Sequence, residues 1–137
     1  MKFYILLDNV NGIKVYATAY FKEVNNQIFT PFVDDFNDYA IKNNLNITLE
    51  LYIFSNKNSA VSYSDYESML EYLFKKKSIK YDIIFYDSIY ISKLGKYFLN
   101  LKDLLPEEHV NMYKNIVLKD FCYYDNSLVG LVNLFIK

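Results

Sequence analysis

The residues best suited to chemistry lie at the end of one apolar stretch, Tyr81–Ser88, which reads YDIIFYDS. Apolar residues bounded by turn-forming aspartates indicate a short buried strand, and Asp87 and Ser88 leave that strand together. A carboxylate and a hydroxyl side by side can bind the polar groups of a ligand. The same carboxylate can instead cap a helix that starts near Ile89. The sequence leaves both roles open for Asp87.

The sequence contains no visible machinery for catalysis or metal binding. His109 is the single histidine, and the adjacent Glu107 and Glu108 point in different directions on a helix, so they form no metal-binding face with it. The single cysteine, Cys122, excludes an internal disulfide and an all-cysteine metal site. Three glycines leave no phosphate-binding loop. We therefore predict that the protein is not an enzyme and needs no cofactor or metal.

Charge and hydropathy argue against two classes of partner. All 15 basic residues are lysine and the net charge is -1, so the bidentate guanidinium contacts typical of nucleic-acid recognition are missing. No apolar run approaches the roughly 20 residues that a membrane-spanning helix needs. We expect neither a nucleic-acid partner nor a transmembrane segment in this chain.

Residues 1–12 admit two interpretations. Lys2 followed by the apolar residues Phe3–Leu7 resembles a secretory leader, but Asp8 ends the apolar run short of the roughly 7 to 15 residues expected. The segment is therefore either an eroded signal peptide or the lead-in to the first strand. Asn46 begins an Asn-Ile-Thr triplet, the acceptor pattern for N-glycosylation, which has meaning only if the chain is secreted.

Strand and helix signals alternate along the chain up to the Asp87 stretch. Strands are indicated where β-branched and aromatic residues cluster without helical spacing, and helices where apolar residues recur every three or four positions. The predicted elements, in chain order, are a strand at Ile13–Tyr20, a helix carrying Ile28, Phe32, Phe36 and Tyr39, a strand at Ile47–Phe54, a helix from the capping box Ser64–Glu67 to Phe74, and a strand at Asp82–Tyr86.

Shorter elements follow, and cap and turn residues predict them. Gly95 is expected to end the first of these in a left-handed conformation. In chain order they are a helix at Ile89–Leu94, a helix begun by Pro106 and reaching Met112, and two strands, Phe121–Tyr124 and Leu128–Val132, around a turn.

The order of these elements predicts the architecture. Strands separated by helices imply parallel pairing through right-handed crossovers. We therefore predict an α/β fold with an open, mainly parallel sheet and helices on both faces, a three-layer α/β/α arrangement. In such sheets ligands bind beyond the carboxyl ends of the strands, where the strand order reverses. Asp87 leaves the third strand at that edge, whereas Asp82 enters from the opposite edge.

Four passages in this order resemble the first lobe of the extracellular solute-binding proteins, which have the type II periplasmic-binding fold, and particularly the sugar-binding group. The most specific passage is KYDIIFYDSIYISKLGKYFLNLKDLL, which combines an aspartate-opened apolar strand, a polar turn, a short helix and a leucine-rich segment. The others are IKVYATAYF, the FVDDFNDYA helix leading into LNITLELY, and the hairpin FCYYDNSLVGLVNL. Together they span about residues 13–133.

The resemblance implies a non-catalytic lobe at residues 13–137 that binds a small solute, a carbohydrate, in the periplasm or extracellular space. Polar side chains would bind the sugar hydroxyls, and aromatic faces would contact its C–H surfaces. A missing second lobe, or a membrane receptor or transporter component, would be the partner. The residues expected at this site, beyond the ends of the first three strands, are Tyr20, Phe21, Asn56, Tyr86, Asp87 and Ser88.

The chain departs from the family in length. Members are much longer and have a second lobe that closes over the ligand, so one lobe alone is expected to enclose less of a ligand and to bind it weakly. Two alternatives stay open. One is a protein-interaction or receptor-ectodomain lobe that uses the apolar region Phe121–Phe135, and the other is a degenerate fragment that binds no ligand.

Overall fold

Among the described residues, the fold is built on a parallel sheet of three strands, with helices between them and a separate two-stranded hairpin near the C terminus. The computed structural model describes residues 12–21, 30–55, 57, 63–112 and 121–131. The predicted α/β class is confirmed. The elements are β1 (Ile13–Tyr20), α1 (Thr30–Lys42), β2 (Ile47–Phe54), α2 (Tyr63–Lys75), β3 (Ile83–Ile84), α3 (Ile91–Leu94), α4 (Glu107–Asn111), β4 (Tyr123–Tyr124) and β5 (Ser127–Leu128), with 3₁₀ turns at Ser88–Tyr90, Gly95–Tyr97 and Leu101–Asp103.

Strand β1 lies at the centre of the sheet, between β2 and β3. It pairs with β2 in parallel over its whole length, from Ile13 opposite Ile47 to Tyr20 opposite Phe54. One further backbone bond, from the Phe21 amide to the Phe54 carbonyl at 2.9 Å, extends the pairing past the carboxyl end. The predicted bounds of both strands are confirmed. Their β-branched and aromatic residues suit a pleated, half-buried surface.

Strand β3 is shorter than predicted, because only Ile83 and Ile84 form a regular ladder with β1. Asp82 stands beside Tyr16 and satisfies both of its backbone groups. The Asp82 amide donates to the Tyr16 carbonyl at 2.7 Å, and the Tyr16 amide donates to the Asp82 carboxylate at 2.8 Å. The carboxylate thus takes the place of a strand carbonyl. After the ladder, the Phe85 amide donates to the Thr18 carbonyl at 2.8 Å.

A side-chain amide also caps the outer side of β2. Successive residues of a strand direct their amide and carbonyl groups to alternate sides, and Phe54 bonds to β1, so Leu49 faces away from β1. Asn37 of α1 meets both groups of Leu49: its Nδ2 donates to the Leu49 carbonyl at 3.0 Å, and its Oδ1 accepts from the Leu49 amide at 2.8 Å. Asn37 therefore substitutes for a neighbouring strand at an edge that could otherwise pair with another chain.

The face that α1 turns toward the sheet is not its aromatic face. Ala40 is the buried residue of the helix, and it lies three positions after the anchored Asn37. Phe32, Phe36 and Tyr39 are 53%, 38% and 58% exposed, although a stripe with this spacing ordinarily faces a core. Asn37, through its two bonds to Leu49, and the small buried side chain of Ala40 therefore lie on the face that approaches β2.

Two clusters form the described core. The larger contains Tyr66 and Leu70 from α2 together with Tyr90 and Leu94, and the smaller contains Val110, Cys122 and Leu128. The apolar stripe predicted for the second helix is therefore confirmed at Tyr66 and Leu70, and Met69 and Phe74 pack against the same cluster.

The C-terminal hairpin forms at the predicted turn, but its strands are shorter than predicted: β4 holds Tyr123–Tyr124 and β5 holds Ser127–Leu128, because residues 121–122 are helical and the chain leaves the ladder after Leu128. Asp125 and Asn126 have φ values of 45° and 65°, as a two-residue type I′ turn requires, and Tyr123 pairs with Leu128. The prediction for Gly95 is wrong, because its φ is -55° and the chain there is right-handed. A Cβ at Gly95 would lie 2.6 Å from Cβ and Cγ of Tyr124, so the glycine is required by the close approach of the hairpin.

Both long helices end in the same way. In α1, Asn44 at φ 54° follows the last turn, and the Leu45 amide donates to the Ala40 carbonyl at 2.9 Å. In α2, Lys77 at φ 51° takes the equivalent place, and the Ser78 amide donates to the Leu73 carbonyl at 3.0 Å. Asparagine tolerates this left-handed position better than lysine does.

We predict that Lys77→Gly raises the free energy of unfolding by about 0.5–1 kcal/mol, because glycine removes the steric cost of the left-handed conformation. Urea denaturation measures the change. Asn44→Gly, at the matched position of α1, is expected to change it by less. An equal or larger gain at Asn44 would contradict the explanation.

We predict that Asn37→Ala lowers the free energy of unfolding by about 1–2 kcal/mol, because both backbone groups of Leu49 lose their partner. Asn43→Ala is the matched control, since the side-chain amide of Asn43 donates one exposed hydrogen bond, to the Tyr39 carbonyl at 2.8 Å. The control should cost less than about 0.5 kcal/mol. Equal losses in urea denaturation would show that capping the strand edge contributes nothing.

Candidate functional site

The chain leaves all three strands of the sheet at one edge. The parallel register sets Tyr20 of β1 opposite Phe54 of β2, and the Phe85 amide beside Thr18 carries the end of β3 to the same edge. From β1 the chain goes to β2 on one side, whereas β3 lies on the other side. Loops diverge at such a switch point, and ligands of parallel α/β sheets bind there. The candidate site is therefore the edge between the ends of β1 and β3.

Tyr66 of α2 joins the strand ends under this edge. Its hydroxyl lies 3.5 Å from Thr18 Oγ1 and 3.4 Å from the Phe85 carbonyl oxygen, so it bridges β1 and β3. Its ring centroid lies 5.7 Å from that of Tyr20 and 5.9 Å from that of Phe54. Burial raises the pKa of the Tyr66 hydroxyl well above its ordinary range.

Sequence reasoning placed Tyr66 in the apolar stripe of the second helix and did not connect it with the strand ends. No local signal distinguishes a tyrosine that packs by its ring alone from one whose hydroxyl bridges two strands. The one available clue was that Tyr66 is the polar-tipped member of an otherwise apolar stripe, and buried tyrosine hydroxyls usually have a partner.

Asp87 and Ser88 lie together at the end of β3. The Asp87 carboxylate accepts from the Ile89 amide at 3.2 Å, and the Ser88 hydroxyl donates to the same carboxylate oxygen at 3.4 Å. Asp87 thereby caps the 3₁₀ turn Ser88–Tyr90, as one of the two sequence interpretations predicts. The residue is exposed, so the cap holds a carboxylate at the surface of the strand edge.

The aromatic residues after β1 are partly exposed. Tyr20 packs against the larger core cluster through Tyr66 and keeps part of its surface accessible. Phe21 is also half-buried, and its backbone is fixed by the hydrogen bond that its amide donates to the Phe54 carbonyl. Both residues therefore stand at the carboxyl end of β1, where the sequence predicts them.

Tyr86 turns its hydroxyl away from the site and toward the C-terminal hairpin. Its ring centroid lies 5.1 Å from that of Phe98, and a Cβ at Gly130 would lie 2.5 Å from the Tyr86 hydroxyl oxygen. That hydroxyl is buried and has no hydrogen-bond partner among the residues that the structure describes. Burial, with a smaller contribution from Cys122, raises the pKa of Tyr86 to about 12.

The remaining residues named from the sequence are Asn56 and Asn46. Asn56 is outside the described residues. Asn46, the glycosylation acceptor, lies at the opposite edge of the sheet, where its carbonyl accepts from the Ile13 amide at 2.9 Å. It is exposed and has a φ of 53°. The acceptor nitrogen is therefore on the surface of the described fold.

Neither a metal cluster nor a membrane-spanning helix occurs in the part of the chain that the structure describes. No three histidine, cysteine, aspartate or glutamate residues within it converge as metal ligands would. No helix in the same ranges combines the length and the apolarity needed to cross a bilayer.

Comparison with known proteins adds no relative to this geometry: no protein-family model, no curated protein and no solved structure matches the chain.

We predict that Tyr86→Phe raises the free energy of unfolding by about 1 kcal/mol at neutral pH, because it removes a buried hydroxyl without a partner. Tyr72→Phe is the control, since Tyr72 is 60% exposed. A loss of stability in Tyr86→Phe, measured by urea denaturation, would show that the hydroxyl has a favourable partner in solution.

The same variant should change the dependence of stability on pH. The pKa of Tyr86 rises from 10.0 to about 12 on folding. Between these two pH values Tyr86 ionises more readily in the unfolded chain than in the folded one. The free energy of unfolding of the parent protein is therefore unaffected by this group below pH 10 and falls as the pH rises toward 12. The stability gap between Tyr86→Phe and the parent protein should therefore widen over that interval. A constant gap would contradict the raised pKa.

Proposed function

We propose that this chain is a non-catalytic binding lobe that takes a small neutral solute, a carbohydrate, at the carboxyl edge of its sheet. In this proposal the chain forms a three-layer lobe of the type II solute-binding kind, as expected from the sequence. A second lobe, or a membrane receptor or transporter component, is the partner that completes the site outside the cytoplasm.

One observation carries the proposal: the parallel strand order β2-β1-β3, with exposed polar groups at the end of β3. This order makes the edge between β1 and β3 the point where connections diverge, and the loops there can line a ligand site. Asp87 and Ser88 follow β3 at this point, and Tyr20 and Phe21 follow β1. The strand order therefore groups residues that are about 65 positions apart in the sequence.

The chemistry of these groups suits a polyol. A carboxylate accepts hydrogen bonds from adjacent hydroxyls, a serine both donates and accepts, and partly exposed aromatic surfaces contact C–H groups. The cap on the 3₁₀ turn limits the motion of the Asp87 carboxylate, so less conformational entropy is lost when a ligand binds it. Tyr86, in this proposal, supports the site through the core and does not contact the ligand by its hydroxyl.

Geometry also sets the expected affinity. Small-molecule sites usually enclose 70–90% of the ligand surface, and the edge of one sheet encloses less, as roughly one side of a cleft. The lobe alone should therefore bind a sugar weakly, in the millimolar range, and a facing lobe should strengthen binding by covering the other side of the ligand.

A protein-interaction role is the second candidate. Phe121 and Leu131, which flank the C-terminal hairpin, are 44% and 42% exposed. Apolar side chains at that surface favour contact with another protein surface. Self-association or capture that depends on these two residues, without any response to sugars, would support this role in place of solute binding.

The test is a titration of the isotope-labelled protein with glucose and maltose, followed by amide chemical shifts. We expect millimolar binding with shifts at Tyr20, Phe21 and Asp87–Ile89. Asp87→Ser keeps a capping side chain and removes the carboxylate, so it should preserve stability while weakening binding about tenfold. Asp87→Ala should reduce both stability and binding.

Asp103→Ser is the matched control, because Asp103 is an exposed aspartate in another 3₁₀ turn and accepts from Asn100 Nδ2 at 3.0 Å. It should leave the titration unchanged. If neither sugar changes the amide chemical shifts, or if Asp87→Ser leaves the changes unaltered, the proposed site is rejected. Capping is then the role of Asp87.

A further inference from the structure

Helix α1 presents an exposed aromatic stripe made of Phe32, Phe36 and Tyr39. The residues are four and three positions apart, which is the spacing of the contact seam in paired helices. Their exposures of 53%, 38% and 58% show that much of each ring is accessible to solvent. The helix is held by Asn37 and Ala40 against the outermost strand of the sheet, so the stripe lies at the periphery of the described fold.

Two opposite charges border this aromatic stripe. Asp35 precedes Phe36, and Lys42 follows Tyr39 by three positions, so both lie on the flank of the stripe away from Val33 and Ala40. They are seven positions apart and therefore stand two helical turns from each other on the same side. No ion pair in the described part of the chain involves either residue.

We propose that the aromatic stripe binds the same stripe of a second copy of this chain, with the two α1 helices antiparallel across a two-fold axis. In this arrangement Asp35 of each copy faces Lys42 of the other, so one interface forms two ion pairs. In a parallel pair the two-fold axis would place the two charged flanks on opposite sides of the interface, so Asp35 and Lys42 would form no ion pair across it. The charge pattern therefore selects the antiparallel pair.

The accessible aromatic area sets the strength of this dimer. Side chains of this size bury about 150–250 Å² each, so the exposed parts of the three rings amount to roughly 300 Å² per copy. Stable interfaces bury about 800 Å² per partner. The dimer is thus a weak one, which forms between about 10 µM and 1 mM protein.

Sedimentation velocity of the whole 137-residue chain tests the proposal over that range of concentration. We expect a shift from the 16.3 kDa monomer toward a dimer. Phe36→Ser should weaken association at least tenfold, which is the usual effect of removing a central aromatic contact. Tyr39→Ser is a second variant at a more exposed position, for use if Phe36→Ser alters the circular dichroism spectrum.

Ile41→Ser is the matched control. Ile41 lies on the same helix and is 74% exposed, but it stands on the flank opposite the aromatic stripe. Its replacement should leave the dissociation constant within about twofold of the parent value. An effect equal to that of Phe36→Ser would point to non-specific hydrophobic association and would overturn the proposal.

A charge exchange tests the antiparallel arrangement. Asp35→Lys and Lys42→Asp should each weaken the dimer about fivefold, because each sets like charges together twice. The double variant exchanges the two charges and should restore parent affinity. No restoration would reject the antiparallel arrangement. A monomer at 1 mM would reject the dimer and indicate that the stripe is covered by another part of the chain or by a different partner.

Discussion

The structure depends on β1 being paired in parallel on both of its sides. Ala17, Thr18 and Ala19 in its second half are fully buried, which places that part of the strand inside the fold, while its backbone pairs with β2 along eight residues and with β3 at Ala17 and Thr18. Parallel pairing requires a long connection between successive strands, so helices must intervene. It also brings every carboxyl end to one edge. The helices, the core and the candidate site all follow from this arrangement.

Side chains complete the sheet where the backbone ladder ends. Asn37 satisfies the outward groups of Leu49, Asp82 satisfies both groups of Tyr16, and the Tyr66 hydroxyl reaches the Phe85 carbonyl. Backbone groups buried without a partner are costly, so a short sheet of this kind needs such substitutes. Each substitute also fixes a neighbouring element: α1 at the outer edge, the start of β3, and α2 over the strand ends.

The C-terminal hairpin region packs closely, at two glycines, against the segment that follows β3. Tyr124 lies where a side chain at Gly95 would be, and the Tyr86 hydroxyl lies where a side chain at Gly130 would be. Tyr86 directly precedes Asp87, so the residue that packs against the hairpin is next to the exposed carboxylate of the candidate site.

The sequence by itself determined features that depend on neighbouring residues, namely the bounds of β1 and β2 and the turn at Asp125–Asn126, and it offered the cap as one of two roles for Asp87. Local backbone preference and side-chain reach are sufficient for these. Tertiary structure alone decided that Asn37 and not the aromatic stripe of α1 faces the sheet, that Gly95 accommodates a ring, and that Tyr66 bridges two strands. These depend on contacts between residues far apart in sequence, which the periodicity of one segment does not encode.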